Sequence, residues 1–290
     1  MFLIIGLVVV FSMVFGGYLL AGGSMGVITK AAPFELMIIF GASVGAFIIA
    51  NSMGIIKASI GGVGKVAKGP KWKQDDYKDL LSLMFVLMKT LRSKGVVALE
   101  AHIENPHESK IFQHFGAIKD DHHLVNFISD FMRMVTMNFD DAYQMEDAME
   151  KDLERHHAEA HGPAHALTIM ADGLPALGIV AAVLGIIKTM ASISQPVEIL
   201  GGMIAGALVG TFLGVFLSYA MVGPIASRLG QIIEEESKVF LVVKSIIISH
   251  LHGNAPQISV EIGRRSVPGP LQPSFLEMEE HLDELPPDLA

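Results

Sequence analysis

Hydrophobic positions along this chain gather into four long runs, and elsewhere they thin to one apolar residue every third or fourth position. The first run, residues 2–21 (FLIIGLVVVFSMVFGGYLLA), has no charge over the ~20 residues a helix needs to cross ~30 Å of hydrocarbon. The second, residues 34–53, carries only Glu35 at its start, and the third, residues 169–190, carries Asp172 and Lys188 near its two ends. The fourth, residues 200–225, is uncharged. Each is expected to be a transmembrane helix. No basic segment precedes the first run and it is longer than a signal-peptide core, so it is expected to be retained.

Between the second and third runs the spacing is that of amphipathic helices. In residues 77–92 (YKDLLSLMFVLMKTLR), Leu80, Leu83, Met84, Leu87, Met88 and Leu91 fall on one face. Residues 97–103, 123–136 and 139–153 read the same way, with Asn105-Pro106 and Phe115-Gly116 as breaks. The tail continues as a helix from Ser227 to about His250. After that, Gly253, Pro256, Pro268, Pro270 and Pro273 predict irregular chain, ending in a loose acidic stretch. The expected fold class is therefore an all-α integral membrane protein. Residues 1–53 hold the first two spans, 54–168 a helical domain, 169–225 the second two spans, and 226–290 a C-terminal helix and tail.

Composition agrees with this division: 51% of the 290 residues are hydrophobic and 18% charged, and mean hydropathy is +0.48. Charge adds orientation. All but Lys30 and Lys188 of the 21 lysines and arginines lie in the segment between spans two and three or beyond span four. Cytoplasmic flanks are enriched in these residues, which predicts a multi-pass membrane protein with both termini cytoplasmic. Only 22–33 and 191–198 would then face outward. A net charge of −9 with no basic stripe argues against a nucleic-acid partner. The absence of cysteine removes disulfides, thiolate metal sites and cysteine nucleophiles.

Within the spans, Gly202, Gly206, Gly210 and Gly214 recur every four residues and make a smooth stripe along one face for close helix packing or self-association. Gly178 with Ala182 and Ala181 with Gly185 form a shorter counterpart in the third span. No Asp, Glu, His, Lys or Arg is expected near the centre of any span, so a proton acceptor would have to come from another chain. Thr211 follows the stripe; a threonine there commonly bonds its own helix backbone. Pro175 and Pro224 each mark a bend or an end. Arg92 and Glu100, either side of Gly95, read as solvated surface charges. The His-rich stretch 156–165 places His157, His161 and His165 four apart, but Gly162-Pro163 is expected to break the helix before the third, so no metal site and no other cofactor is expected. No nucleophile, base and oxyanion set can be assembled from these residues, so no enzymatic activity is expected.

Several stretches resemble one family, the MotA/PomA stator subunits of the bacterial flagellar motor, relatives of the ExbB and TolQ energisers. They are VFGGYLLAGGSMG at 14–26, LEAHIENPHES at 99–109, GLPALGIVAAVLGII at 173–187, LVGTFLGVFLSYAMVGPIA at 208–226, and APQISVEIGRR and PSFLEMEEH near the end. The resemblance implies a ring of five such chains in the bacterial inner membrane around two single-span MotB-type partners that supply the missing aspartate, and torque on the rotor protein FliG. It implies that Thr211, Pro175 and Pro224 lie on the ion pathway, and that Ala182, where sodium-driven relatives tend to carry a hydroxyl, favours H+ over Na+. It assigns Arg92 and Glu100 to the rotor contact. Two other readings remain open at this point, an ExbB/TolQ-like energiser and a membrane scaffold that passes no ions.

Overall fold

In a computed structural model, residues 2–137, 139, 141–286 and 289 are described. The elements are helical: α1 (Phe2–Leu20), α2 (Met25–Ala50), α3 (Met53–Lys68), α4 (Gln74–Lys94), α5 (Val96–Ile103), α6 (Lys110–His114), α7 (Gly116–Lys119), α8 (His122–Thr136), α9 (Ala142–Met190), α10 (Val197–Leu217), α11 (Gly223–Leu251), α12 (Pro256–Arg265) and α13 (Phe275–Asp283). A π-helical turn, Ser218–Val222, joins α10 to α11. Among the described residues four helices are long and apolar enough to cross a membrane, and we take residues 3–20, 25–50, 169–190 and 200–225 as the spanning segments.

The chain divides into two compact units, Met1–Pro70 with Ala160–Ile233, and Lys71–Glu159 with Glu234–Ala290. The first contains the apolar helices. Residues 54–70, 160–168 and 226–233, which the sequence places in polar segments, group with them. The reason is a shared apolar face: Val66, Ala164, Leu167, Ala226, Leu229 and Ile232 form a small core of their own. Aromatic edges hold α1 to α10, with Phe11 and Phe216 centroids 5.3 Å apart and Phe15 and Phe212 6.0 Å apart. Much apolar surface stays uncovered, including Met13, Leu20 and Ile49 at 72, 92 and 89% exposure. In lipid such surface carries no hydration cost, because hydrocarbon surrounds it.

Two helix boundaries differ from the sequence reading. The helix expected from residue 34 begins at Met25 and runs through Pro33, so only a short turn links α1 to α2. α9 likewise runs unbroken through Gly162-Pro163 and Pro175. A proline frees one carbonyl and one turn of bonding, which neighbouring helices and hydroxyls can re-satisfy. Beside Pro163, Ser59 donates to the Ile55 carbonyl of its own helix at 2.8 Å and its Oγ lies 3.5 Å from the Pro163 carbonyl.

The second unit is a soluble-style helical core. The apolar face of α4 is buried, with Leu80, Leu83, Met84, Leu87 and Met88 at 1% exposure or less. It packs with α5, α8, α12, α13 and the later part of α11 around Phe127, Val243 and Ile246. Burying each such side chain is worth about 1.5–3 kcal/mol. Asp121 caps α8 by accepting from the Leu124 N–H at 3.0 Å and pairs with Lys71 at 2.9 Å.

The C-terminal segment is more ordered than its prolines suggest. α13 carries a capping box, in which Ser274 N–H donates to Glu277 Oε2 (2.6 Å) and Glu277 N–H donates to Ser274 Oγ (3.2 Å). Met278 is buried at 4% exposure. Arg264, 5% exposed, forks onto Glu261 with two bonds of 2.6 Å and donates to the Pro273 carbonyl at 2.8 Å, holding the chain that leads into α13. Here a tertiary anchor overrides a local signal for loose chain.

Candidate functional site

The third and fourth spans, the later part of α9 and α10, meet at backbone distance. A methyl group at Gly178 would lie 2.9 Å from the Gly210 carbonyl oxygen and 3.0 Å from Gly214 Cα. One at Gly214 would lie 2.7 Å from both Gly178 Cα and the Leu174 carbonyl oxygen, and one at Gly185 2.7 Å from Ala207 Cβ. Only residues without a side chain, or with a methyl, can occupy such a seam. Ala182 is buried on it, its backbone nitrogen 3.2 Å from the position of a methyl at Gly210. Pro175 directly follows Leu174 on the same stretch of α9. The seam thus brings together Leu174, Gly178, Ala182, Gly210 and Gly214, with Pro175 and Thr211 each one residue along the chain from it.

The other half of the glycine stripe behaves differently. A methyl at Gly202 would meet nothing within 4 Å, and one at Gly206 only Ala31 Cβ at 3.7 Å. Within one chain, the stripe is a close contact at Gly210 and Gly214 and an open face at Gly202.

Thr211 stands apart from the other threonines of the spans and their approaches. Thr29 donates to the Met25 carbonyl (3.0 Å), Thr168 to Ala164 (3.0 Å) and Thr189 to Gly185 (2.9 Å), each tying its hydroxyl to its own helix. Among the described residues Thr211, half-buried, makes no such bond. Its hydroxyl is therefore open to an outside partner. Pro224 lies just beyond the π turn, where the Gly223 N–H bonds the Ser218 carbonyl. A widened turn accommodates the ring that would otherwise crowd the preceding carbonyl.

Glu35, expected at the start of the second span, lies inside α2 instead. Because α2 begins at Met25, Glu35 falls within a 26-residue helix rather than at its edge. It is 8% exposed, and a methyl at Gly210 would lie 2.6 Å from its Oε2. The signal was present in the sequence: an ionisable residue in an apolar helix is a functional candidate by default.

Arg92 and Glu100 belong to the second unit, near the C-terminus of α4 and on α5, joined through Gly95 at φ +86°. A side chain at that φ is strained, so the tight turn is a glycine position. Neither charge forms an ion pair among the described residues, whereas nearby Arg133 pairs with Glu104 (2.7 Å) and Asp130 (2.8 Å). In the His-rich stretch, His157 Nε2 shares a 2.7 Å hydrogen bond with Glu234. Bonds from Lys238 and then His157 hold the Glu234 carboxyl down at about 2. The His156 ring packs on Phe240, with centroids 4.9 Å apart.

Two family models match the chain: motility protein A N-terminal over residues 4–95, and the MotA/TolQ/ExbB proton channel family over residues 120–240. The chain is 40% identical over 282 residues to motility protein A of Escherichia coli (strain K12), covering 97% of this chain and 95% of that protein. The chain belongs to the motility protein A family. It is also 33% identical over 280 residues to chemotaxis protein LafT of Vibrio parahaemolyticus, covering 97% of this chain and 98% of LafT. Its fold is similar to that of Campylobacter jejuni MotAB (TM-score 0.72, 20% identity, 94% of this chain and 98% of that one). It is similar, too, to the flagellar MotAB stator complex of Bacillus subtilis (TM-score 0.68, 25% identity, 89 and 92% covered). As a member of this family the chain is a stator-type, multi-pass membrane protein, and the α9–α10 seam lies within the stretch that matches the proton channel family.

Proposed function

We propose that this chain is the ring-forming subunit of a proton-driven flagellar stator, coupling ion flow to torque. The observation that carries the reading is Thr211, whose hydroxyl is left free of its own backbone beside a seam of backbone contact, in a chain of a proton-channel family. Five copies encircle two single-span MotB-type partners, and the partner's carboxylate lies against Thr211 and Ala182. Alanine at 182 offers no oxygen with which to replace a sodium ion's hydration shell, which favours H+. The second unit and both termini lie in the cytoplasm, where the unpaired Arg92 and Glu100 engage FliG. One charge moving through about 100 mV supplies roughly 2.3 kcal/mol, so several ions are needed per mechanical step.

The test is torque in cells lacking their own stator, given this chain and its cognate partner, with sodium and the proton gradient varied separately. Torque that follows the proton gradient and ignores sodium is the expected result. Torque that follows sodium overturns the ion assignment. Absence of torque from a correctly inserted complex moves the energiser or scaffold reading forward.

A further inference from the structure

Between α2, α9 and α10, at the end of the bundle that carries the α1–α2 and α9–α10 connections, lies a cavity of about 570 Å³. That is room for several water molecules. Glu35, Lys30 and Lys188 line it, and α10 contributes only uncharged residues, among them Gly202, Met203 and Gly206. Glu35 is more than nine-tenths buried, and its Oε2 has no hydrogen-bond partner among the described residues. A buried polar oxygen left without a partner is destabilising, the more so when charged, so its presence calls for a use. Gly210 makes the carboxylate's place: a methyl there would sit 2.6 Å from Oε2. Thr211 is the next residue along α10.

We propose that Glu35 is a proton-relay group that loads the pathway from this cavity, an inference that rests on the ion-conducting reading above. A hydronium ion in the cavity gives its proton to the carboxylate and leaves as water. The carboxylic acid then releases the same proton toward Thr211 and the partner's acceptor, and returns to carboxylate. No oxidation or group transfer is involved. Lys188 lines the same cavity and supplies a counter-charge for the carboxylate form, while the acid form carries no charge. The two lysines also bear on the ion. A hydronium ion meets the same two ammonium charges as a metal cation, but its proton ends in a covalent O–H bond on Glu35, which a metal cation cannot form.

The experiment measures proton flux through the full complex of this chain with its single-span partner, reconstituted in vesicles, for wild type, Glu35→Gln, Glu35→Asp and Thr211→Val. Glu35→Gln, which keeps the shape but cannot ionise, is expected to lower flux about tenfold or more, and Glu35→Asp to restore part of it. Wild-type flux in Glu35→Gln overturns the relay, and equal loss in both Glu35 variants overturns it in favour of a packing role. If the wild-type complex conducts nothing, or Thr211→Val conducts as well as wild type, the stator reading itself fails, a different pattern from loss of the relay alone. Should Glu35→Gln fail to assemble, treating the wild-type complex with a hydrophobic carbodiimide decides by peptide mass spectrometry. Modification of Glu35 that fades as pH rises supports the relay, and no modification at any pH overturns it.

Discussion

A methyl group at Gly214 must push apart two helices whose backbones already touch, because Gly178 Cα and the Leu174 carbonyl lie 2.7 Å from where it would stand. Overpacking of this kind costs about 1–3 kcal/mol, so Gly214→Ala is expected to lower the melting temperature of the detergent-solubilised protein. Gly202→Ala makes the contrasting case, since its methyl meets nothing within one chain and stability should hold. If Gly202→Ala nevertheless weakens the assembled complex, measured by size-exclusion chromatography, that face of α10 meets another subunit. Charge reversal at Arg92 or Glu100, neither of which holds an ion pair here, should leave thermal stability within about 0.5 kcal/mol while reducing torque. A parallel loss of stability and torque would mean that these charges serve the fold.

At the scale of elements, the helices that matter most are those whose ends or bends are set by partners. α12 and α13 are joined through Arg264, buried and bound both to Glu261 and to the Pro273 carbonyl. Arg264→Ala leaves the buried Pro273 carbonyl without this donor, while Glu261, one-third exposed, keeps Arg265 at 3.2 Å, so the expected loss is about 1–3 kcal/mol. Limited proteolysis should then cut between α12 and α13 where the wild-type chain resists. An uncut variant would show that Met278 and the Ser274–Glu277 capping box hold α13 without the arginine. The π turn before Pro224 is the corresponding device in the membrane, widening one turn so that a proline can follow without ending the helix.

The polar unit as a whole should be sensitive to acid. Burial pushes the His102, His156 and His250 imidazoles below their ordinary range, with Lys94 adding to the effect at His102, His123 at His156 and Arg92 at His250. Their folded pKa values are lower than the unfolded value of about 6.5, so the unfolded chain binds more protons as pH falls. Stability from these groups is therefore complete above about pH 6.5 and is lost as pH drops through it. Glu234, held at about 2, acts in another window: its contribution is present above the unfolded carboxylate value of about 4.3 and fades only toward pH 2. Circular dichroism melts of the full chain should show a first decline below about pH 6.5. A melting temperature flat from pH 8 to 5 would sink the histidine argument.

Sequence alone determined the four apolar helices and the amphipathic helices of the polar unit, because run length and spacing report directly on which faces leave water. The four-residue glycine spacing was legible as well, but which of its members touch a neighbour was not: within one chain only Gly210 and Gly214 lie at backbone contact. What the sequence could not decide is where a helix begins or continues against a local breaker. α2 starts at Met25 and passes Pro33, α9 passes Gly162-Pro163, and α13 forms beyond a run of prolines. In each case packing against a neighbour outweighs the local cost. That same decision moves Glu35 from the edge of a span to the inside of the bundle. Its burial against Gly210 depends on two helices distant in sequence, and so only the tertiary structure reveals it.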